Sequence, residues 1–474
     1  MTDLKEKLKH FLPENCEITR AETVPEGDDK SIPMMPLKNI PEHVVICVTA
    51  RPVPQSNIRI ELWLPVSGWN GDLAGIGSGG AAGMILPMML AGPLRLGFAS
   101  VTTDLGTSAG PDCGFGNEAV WDDFGHRATH IMTAVGKALT TGYYGEPVRC
   151  SYFIGGSTGG QQALSEAQRY PEDYDGILAC APAYDRVNLH LAFLWDWQHL
   201  NTEGVRPFTK RQEKKLVRTF LKKCAAEGQR QKKDPFFYRP DMIRVTRELL
   251  KEAGVDETQL EALMAVYKGL PGVYEGTLTP GSEGSGMALV HRCEKENFDK
   301  SFFYLFRWVL GRDFNFMNFD LNRDGKLVRE ALSSHLDAVS TDLSAFKNRG
   351  GKLLLVHGTA DPIIPMTSSI RYYEDVQKTM GDTSDFFRLF LLPGMAHITG
   401  GPGVQDYVYG MPAVPKDEKH LGLLTLKAWI EEGKAPDAIY PVAFKKFPPL
   451  AAFKENGMAW ERKVTPYQSG DKEG

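Results

Sequence analysis

Short apolar runs and amphipathic stretches alternate along the 474 residues. Val44–Ala50 and Ile58–Leu64 are dense in β-branched residues and read as paired strands. Further apolar runs at Leu73–Ile76, Gly97–Thr103, 151–154, Tyr174–Ala181, Gly351–His357 and Phe387–Pro393 predict buried strands. Residues 117–142, with Ile131, Val135 and Leu139 at four-residue spacing, predict a helix. Such alternation implies an α/β fold: a mostly parallel central sheet covered by helices on both faces. From 186 to 345 the pattern turns helical, aromatic and mixed in charge. The expected organisation is a core in two parts, 1–185 and 346–474, interrupted by an inserted, largely helical lid domain, 186–345. Residues 1–40 are expected to form a short amphipathic helix and a Pro/Asp/Gly-rich surface wrapping.

One junction between strand and helix carries chemistry. Gly155-Gly156-Ser157-Thr158-Gly159 follows the apolar run Tyr152–Ile154 and precedes Ala163, Leu164 and Ala167 at helical spacing. It spells G-x-S-x-G, a turn that lifts a serine hydroxyl out at the carboxyl end of a sheet. Glycine makes up 48 of the residues, so the pentapeptide alone is equally a glycine-rich turn without chemistry.

Context decides between the two. A serine needs a base, and the base an orienting acid; in α/β-hydrolases these follow in the order acid, then histidine, each after a core strand. Asp361 lies just beyond the run ending at His357, and His397 just beyond the run ending at Pro393. His126, His130, His190, His199 and His335 fall in helical stretches, and His357 closes a buried strand; all six are read as structural. Oxyanion donors are expected from the N–H of Thr158 and from the loop Gly77-Ser78-Gly79.

The rival for that loop is dinucleotide binding, since Gly75–Gly80 also spells G-x-G-x-x-G with Asp104 downstream. The paired strands before the loop disfavour this NAD reading, because the fingerprint belongs to a first βα unit.

A net charge of −5 with no long basic block argues against nucleic-acid partners. No run of about 18 apolar residues predicts a membrane span, and Met1–His10 lacks the apolar stretch of a signal peptide. Seven scattered cysteines without C-x-x-C spacing give no zinc site or disulfide framework. A cytoplasmic protein acting on a small molecule is expected, with its oligomeric state open.

Taken together, Glu61-Leu-Trp-Leu-Pro, Gly68-Trp-Asn-Gly, Gly77-Ser-Gly-Gly, Ser151–Gly160, Ala167–Ile177, Asp342–Leu353, His357–Pro365 and Arg388–His397 resemble the tannase/feruloyl esterase family of α/β-hydrolases. The resemblance implies Ser157, Asp361 and His397 as the triad and a lid between the two core parts. It also implies hydrolysis of esters of aromatic acids such as gallates and hydroxycinnamates. An acyltransferase on the same triad is the alternative.

Two departures stand out. The family joins a cysteine before the serine to one after the histidine; here those positions are Gly156 and Ile398, so packing alone must hold the histidine loop. Many family lids also bind a structural calcium in an acid-rich loop, but the segment after Cys224 is poor in carboxylates. No cofactor or metal is therefore assigned. Asp320-Leu-Asn322-Arg-Asp324-Gly325 imitates the start of a calcium loop, but position 331 is Ala331; a capped turn is favoured there. The aromatic segments Phe302–Tyr304 and Phe314–Phe319 are read as lid core rather than as a wall for an aryl group.

Overall fold

The computed structural model describes residues 2–29, 37–108, 110, 112–226, 238–285, 287–411, 414–445 and 457–469. Nine strands make one sheet. They are β1 (Cys16–Val24), β2 (His43–Ala50), β3 (Ile58–Pro65), β4 (Leu73–Ile76), β5 (Ala99–Thr103), β6 (Ser151–Gly156), β7 (Gly176–Cys180), β8 (Lys352–Gly358) and β9 (Phe387–Leu392). Their order is β1-β2-β3-β5-β4-β6-β7-β8-β9. β1, β2, β3 and β5 pair antiparallel in turn. From β5 to β9 every neighbouring pair is parallel. Every residue of β4, β5, β6 and β7 is buried, which is why these strands read as unbroken apolar runs. Helices Ala128–Tyr144, Thr158–Arg169, Met366–Met380 and Gly422–Glu432 cover the sheet.

Two expectations are corrected. Within 1–40, Cys16–Val24 is not surface wrapping but the edge strand β1. It buries only Ile18 and Ala21 and carries a bulge between Ile18 and Arg20, so it lacks the apolar signal of the inner strands. The helix expected over 117–142 is three pieces: Glu118–Asp122, a π-helical turn Asp123–Arg127, and Ala128–Tyr144. The π turn serves a contact. A Cβ on Gly125 would stand 1.9 Å from the His335 carbonyl oxygen, and His335 Nδ1 meets Asp122 Oδ1 at 2.6 Å. The widened turn thus receives the end of helix Arg323–Leu336.

Between β7 and β8 the chain carries helices that include Arg186–Leu200, Lys210–Ala226, Glu257–Lys268, Tyr304–Leu310 and Arg323–Leu336, and no strand among the described residues. Leu200, Phe208, Leu216, Phe220, Leu263 and Val266 form a separate apolar cluster there. Phe303, Tyr304, Phe306, Phe316 and Phe319 are buried and pack ring against ring in the main core. They are therefore core, as favoured from sequence, and not an open aryl wall.

The two ends of this insertion are tied together. Ala338 N–H donates to the Tyr184 carbonyl at 2.8 Å, and Val187 N–H donates to Asp337 Oδ1 at 3.0 Å. Burial pushes the Asp337 carboxyl up to about 6, with the bond from Val187 opposing it and the nearby Asp185 charge adding to it. The folded value is above that of an unfolded carboxylate, near 4. The bound proton therefore stabilises the fold at low pH, and its contribution is lost as pH rises through about 6. Melting temperatures measured from pH 4 to pH 8 should show a smaller decline in Asp337→Asn than in the wild type over that window.

Candidate active site

β6 ends in Gly155-Gly156 and turns at Ser157, whose φ of 61° and ψ of −117° are strained for any side-chain-bearing residue. Helix Thr158–Arg169 starts at the next residue. The turn closes only on glycine: a Cβ on Gly155 would lie 2.1 Å from the Gly159 carbonyl oxygen. Ser157 N–H donates to the Cys180 carbonyl at 2.9 Å, and Ala183 N–H donates to the Ser157 carbonyl at 3.1 Å. The serine is thus pinned between β6 and the segment leaving β7, half-buried at the carboxyl edge of the sheet.

Asp361 and His397 occupy the loops after β8 and β9. His397 Nδ1 meets Asp361 Oδ2 at 2.7 Å. The acid's other oxygen, Oδ1, accepts from the N–H groups of Ile363 at 2.8 Å and Ile364 at 3.1 Å. Burial alone would raise this carboxyl, but the His397 charge and hydrogen bonds from His357 and His397 outweigh it, so it lies well below the usual carboxylate range. The two loops are laced together: Ala360 N–H donates to the Met395 carbonyl at 3.0 Å, and Gly394 N–H to Thr359 Oγ1 at 2.9 Å. Hence the geometry of the pair does not depend on either loop alone.

His357 is structural, as read from the sequence, yet it serves the acid. Its Nε2 lies 2.9 Å from the Ile364 carbonyl, which can only accept, so Nε2 carries a proton; that proton also faces Asp361 Oδ2 at 3.4 Å. Ser369 Oγ, 2.7 Å away, fixes Nδ1.

The serine and histidine segments meet at their neighbours. A Cβ on Gly156 would lie 2.6 Å from Ile398 Cγ2 and 3.0 Å from Tyr409 Oη. Ile398 therefore fills the notch that Gly156 leaves, and it does so at a φ of 58°, a costly conformation for a β-branched residue. These are the two positions at which the resemblance implies a disulfide; here an apolar knob in a glycine notch replaces it. Through Gly156 and Ile398 the serine and histidine segments are thus juxtaposed.

The glycine loop after β4 is held against the elbow. Gly77 N–H donates to the Ile154 carbonyl at 2.8 Å, and Ser78 N–H to Gln162 Oε1 at 2.8 Å. Those two donors are used up, which narrows the expected set Gly77, Ser78 and Gly79: the first two shape the loop, and the N–H of Gly79 has no partner among the described residues. Thr158 N–H, in the first turn of its helix, lacks an intrahelical acceptor. Thr158 Oγ1 donates to the Gly80 carbonyl at 2.7 Å, linking the two segments that carry these donors.

Two arginines of the insertion reach this machinery without any local sequence signal. Arg292, 1% exposed, donates through Nη2 to the Pro362 carbonyl at 2.6 Å, directly beside Asp361. Its Nη1 pairs with Asp196 and donates to Thr277 Oγ1 at 2.6 Å. Arg186 bonds Thr158 and the Gly80 carbonyl.

Other candidates fall away. Asp104 is buried, with Oδ2 on Arg59 Nε at 2.8 Å and Oδ1 accepting from Arg59 and Gly106 N–H. No acid is left there for a ribose. Asp320 accepts from the N–H groups of Asn322 and Arg323, and Asp324 pairs with Arg323; this is a capped turn, and it does not fit a cation cage. Residues 227–237, after Cys224, lie outside the described residues. Asp72, Cys150 and Glu431 converge, but Arg149 and Lys427 already pair with both carboxylates. A cavity of about 350 Å³ between the insertion and helix Met366–Met380 is lined by Met264, Tyr267, Thr279 and Thr367 but by neither Ser157 nor His397. Among the described residues no helix is long and apolar enough to cross a membrane.

Comparison with known proteins bears on the family and the fold. A family model described as tannase and feruloyl esterase matches residues 44–447. An uncharacterised esterase of Xanthomonas campestris is 32% identical, covering 89% of this chain and 81% of its own. Feruloyl esterase B of Aspergillus niger is 30% identical, covering 81% of this chain and 76% of its own. The crystal structure of feruloyl esterase B from Aspergillus oryzae superposes with a TM-score of 0.84 at 24% identity, over 98% of this chain and 96% of that one. The fold is that of an α/β-hydrolase, and the chain belongs to the tannase and feruloyl esterase family of carboxylic ester hydrolases.

Proposed function

We propose that the chain is a serine esterase that hydrolyses esters of aromatic acids through an acyl-enzyme on Ser157. The observation that carries the reading is the strained Ser157 elbow abutting, through Gly156 and Ile398, the loop that holds the His397–Asp361 pair. Ser157 Oγ attacks the ester carbonyl while His397 Nε2 takes its proton. Asp361, ionised and bonded to Nδ1, fixes the tautomer that leaves Nε2 free to accept and stabilises the imidazolium that forms. The Oγ–Nε2 hydrogen bond is the one that must be formed in the complex with ester for this proton transfer to occur. Thr158 N–H and Gly79 N–H receive the oxyanion. His397 then protonates the leaving alcohol, and water enters by the reverse path to release the acid.

The aromatic-acid preference rests on the kinship with feruloyl esterases. The helices between Arg186 and Leu336 act as the lid over the carboxyl edge of the sheet. Methyl ferulate, methyl gallate, a terephthalate half-ester and a short aliphatic methyl ester, assayed side by side, test the reading. The aryl esters should turn over with the higher kcat/KM, and free acid should be the product even with added alcohol. Equal rates on all four would end the aromatic assignment; dominant transfer to the added alcohol would make the protein an acyltransferase.

A further inference from the structure

Arg186 is the first residue of helix Arg186–Leu200 and only 3% exposed. A buried guanidinium is ordinarily matched by a carboxylate, because an unmatched charge in the interior is costly. Among the described residues no carboxylate pairs with Arg186. The preceding Asp185 accepts from Asn188 Nδ2 at 2.8 Å and faces Arg371 at 3.6 Å instead. Neutral groups alone surround the charge. Nη1 donates to Thr158 Oγ1 at 2.9 Å and Gln161 Oε1 at 3.3 Å. Nη2 donates to the Gly80 carbonyl at 3.2 Å and to Tyr304 Oη. The guanidinium carbon stands 5.2 Å from the centre of the Phe124 ring, a cation–π contact. Nε is buried with no acceptor at all.

The acceptors are not random. Thr158 follows Ser157, and Gly80 follows Gly79, so the planar fork spans the two segments that carry the N–H donors for the oxyanion. The Gly80 carbonyl is gripped three times, by Thr158 Oγ1 at 2.7 Å, Arg186 Nη2 at 3.2 Å and Tyr304 Oη at 3.3 Å. Tyr304 belongs to the helical insertion, so the grip extends from the core into the lid. A fixed positive charge with no anion of its own stands ready for the negative charge that appears only when the carbonyl is attacked. Such a charge favours the transition state over the bound ester.

Resting on the esterase reading above, we propose that Arg186 is a positioning residue of the oxyanion site. It sets the spacing of the Thr158 and Gly79 donors, holds an uncompensated charge toward them, and is itself held by the lid through Tyr304. Lysine keeps the charge but cannot reproduce the fork, and methionine keeps the bulk but neither charge nor fork.

Steady-state kinetics on methyl ferulate, normalised to sites titrated with an aryl phosphonate, test this in Arg186→Met, Arg186→Lys and Tyr304→Phe, with Ser157→Ala alongside. Arg186→Met should lose about ten- to a hundredfold in kcat with KM within about threefold. Arg186→Lys should recover part of the loss, and Tyr304→Phe should lose a few-fold in kcat at unchanged melting temperature. Unchanged kcat per titrated site in a folded Arg186→Met, or a rise in KM alone, would overturn the proposal. If Arg186→Met does not fold, wild-type kcat in both Arg186→Lys and Tyr304→Phe overturns it equally. Turnover retained by Ser157→Ala would instead defeat the esterase mechanism itself, so the two failures are distinct.

Discussion

Asp361→Asn should lower kcat about ten-thousand-fold while leaving KM nearly unchanged. The substitution keeps the volume and one acceptor oxygen, so Oδ1 can still receive Ile363 and Ile364 N–H. What changes is the face toward His397. The amide would present N–H to Nδ1, which then must accept, so Nε2 becomes the protonated nitrogen and cannot take the proton of Ser157. Because the facing His397 charge and the hydrogen bonds from His357 and His397 hold the Asp361 carboxyl below its usual range despite burial, it stays ionised through the working range. The same lowering stabilises the fold above the unfolded carboxylate value, and the contribution is lost only as pH falls through the folded one. Asp361→Asn should therefore also lower the melting temperature at neutral pH and flatten its dependence at acid pH. Steady-state kinetics and thermal melts of the purified variant check both parts.

Gly156→Ala carries the second large effect. One added methyl would sit 2.6 Å from Ile398 Cγ2 and 3.0 Å from Tyr409 Oη. Ile398 cannot yield easily, since its φ of 58° already places a β-branched residue in a poor conformation. The strain passes to His397, one residue back, and a displacement of about 1 Å at a catalytic group costs on the order of a hundredfold. Ile398→Ala removes the knob, so the double variant should regain activity over Gly156→Ala alone. That non-additivity, measured as a double-mutant cycle, is the signature of direct contact. A strictly additive result would mean that the two loops are held by other means. Since Gly156 and Ile398 stand where the disulfide would be, thiol reductant should leave wild-type activity unchanged.

The residues that were legible in the sequence share one property: each follows a strongly apolar run. Ser157, Asp361 and His397 lie just past β6, β8 and β9. β6 and β8 are inner strands, and β9, although it closes the sheet edge, buries every residue but Arg388, so all three carry a strong hydrophobic signal. Strand β1 escaped because an edge strand buries only Ile18 and Ala21, and a polar alternation with a bulge resembles loop. The π turn at Asp123–Arg127 escaped because a packed neighbour distant in sequence, His335, dictates it.

The same limit hid the supporting arginines. Arg186 meets Gly80 across 106 positions and Arg292 meets Pro362 across 70, and a single arginine in a helical insertion has no local pattern to mark it. For the glycine loop, the sequence located the segment but not the division of labour within it. The bonds of Gly77 to Ile154 and of Ser78 to Gln162 leave Gly79 as the available donor of the three.

The measurement closest to the central claim is covalent capture of the nucleophile. The protein is treated with an aryl phosphonate ester, and the adduct is located by peptide mass spectrometry while residual ester turnover is followed. One adduct per chain is expected, on the peptide containing Ser157, formed in step with loss of activity and absent from Ser157→Ala, which should itself be inactive. An adduct on another residue with Ser157 unmodified, or ester turnover surviving in Ser157→Ala, would contradict it.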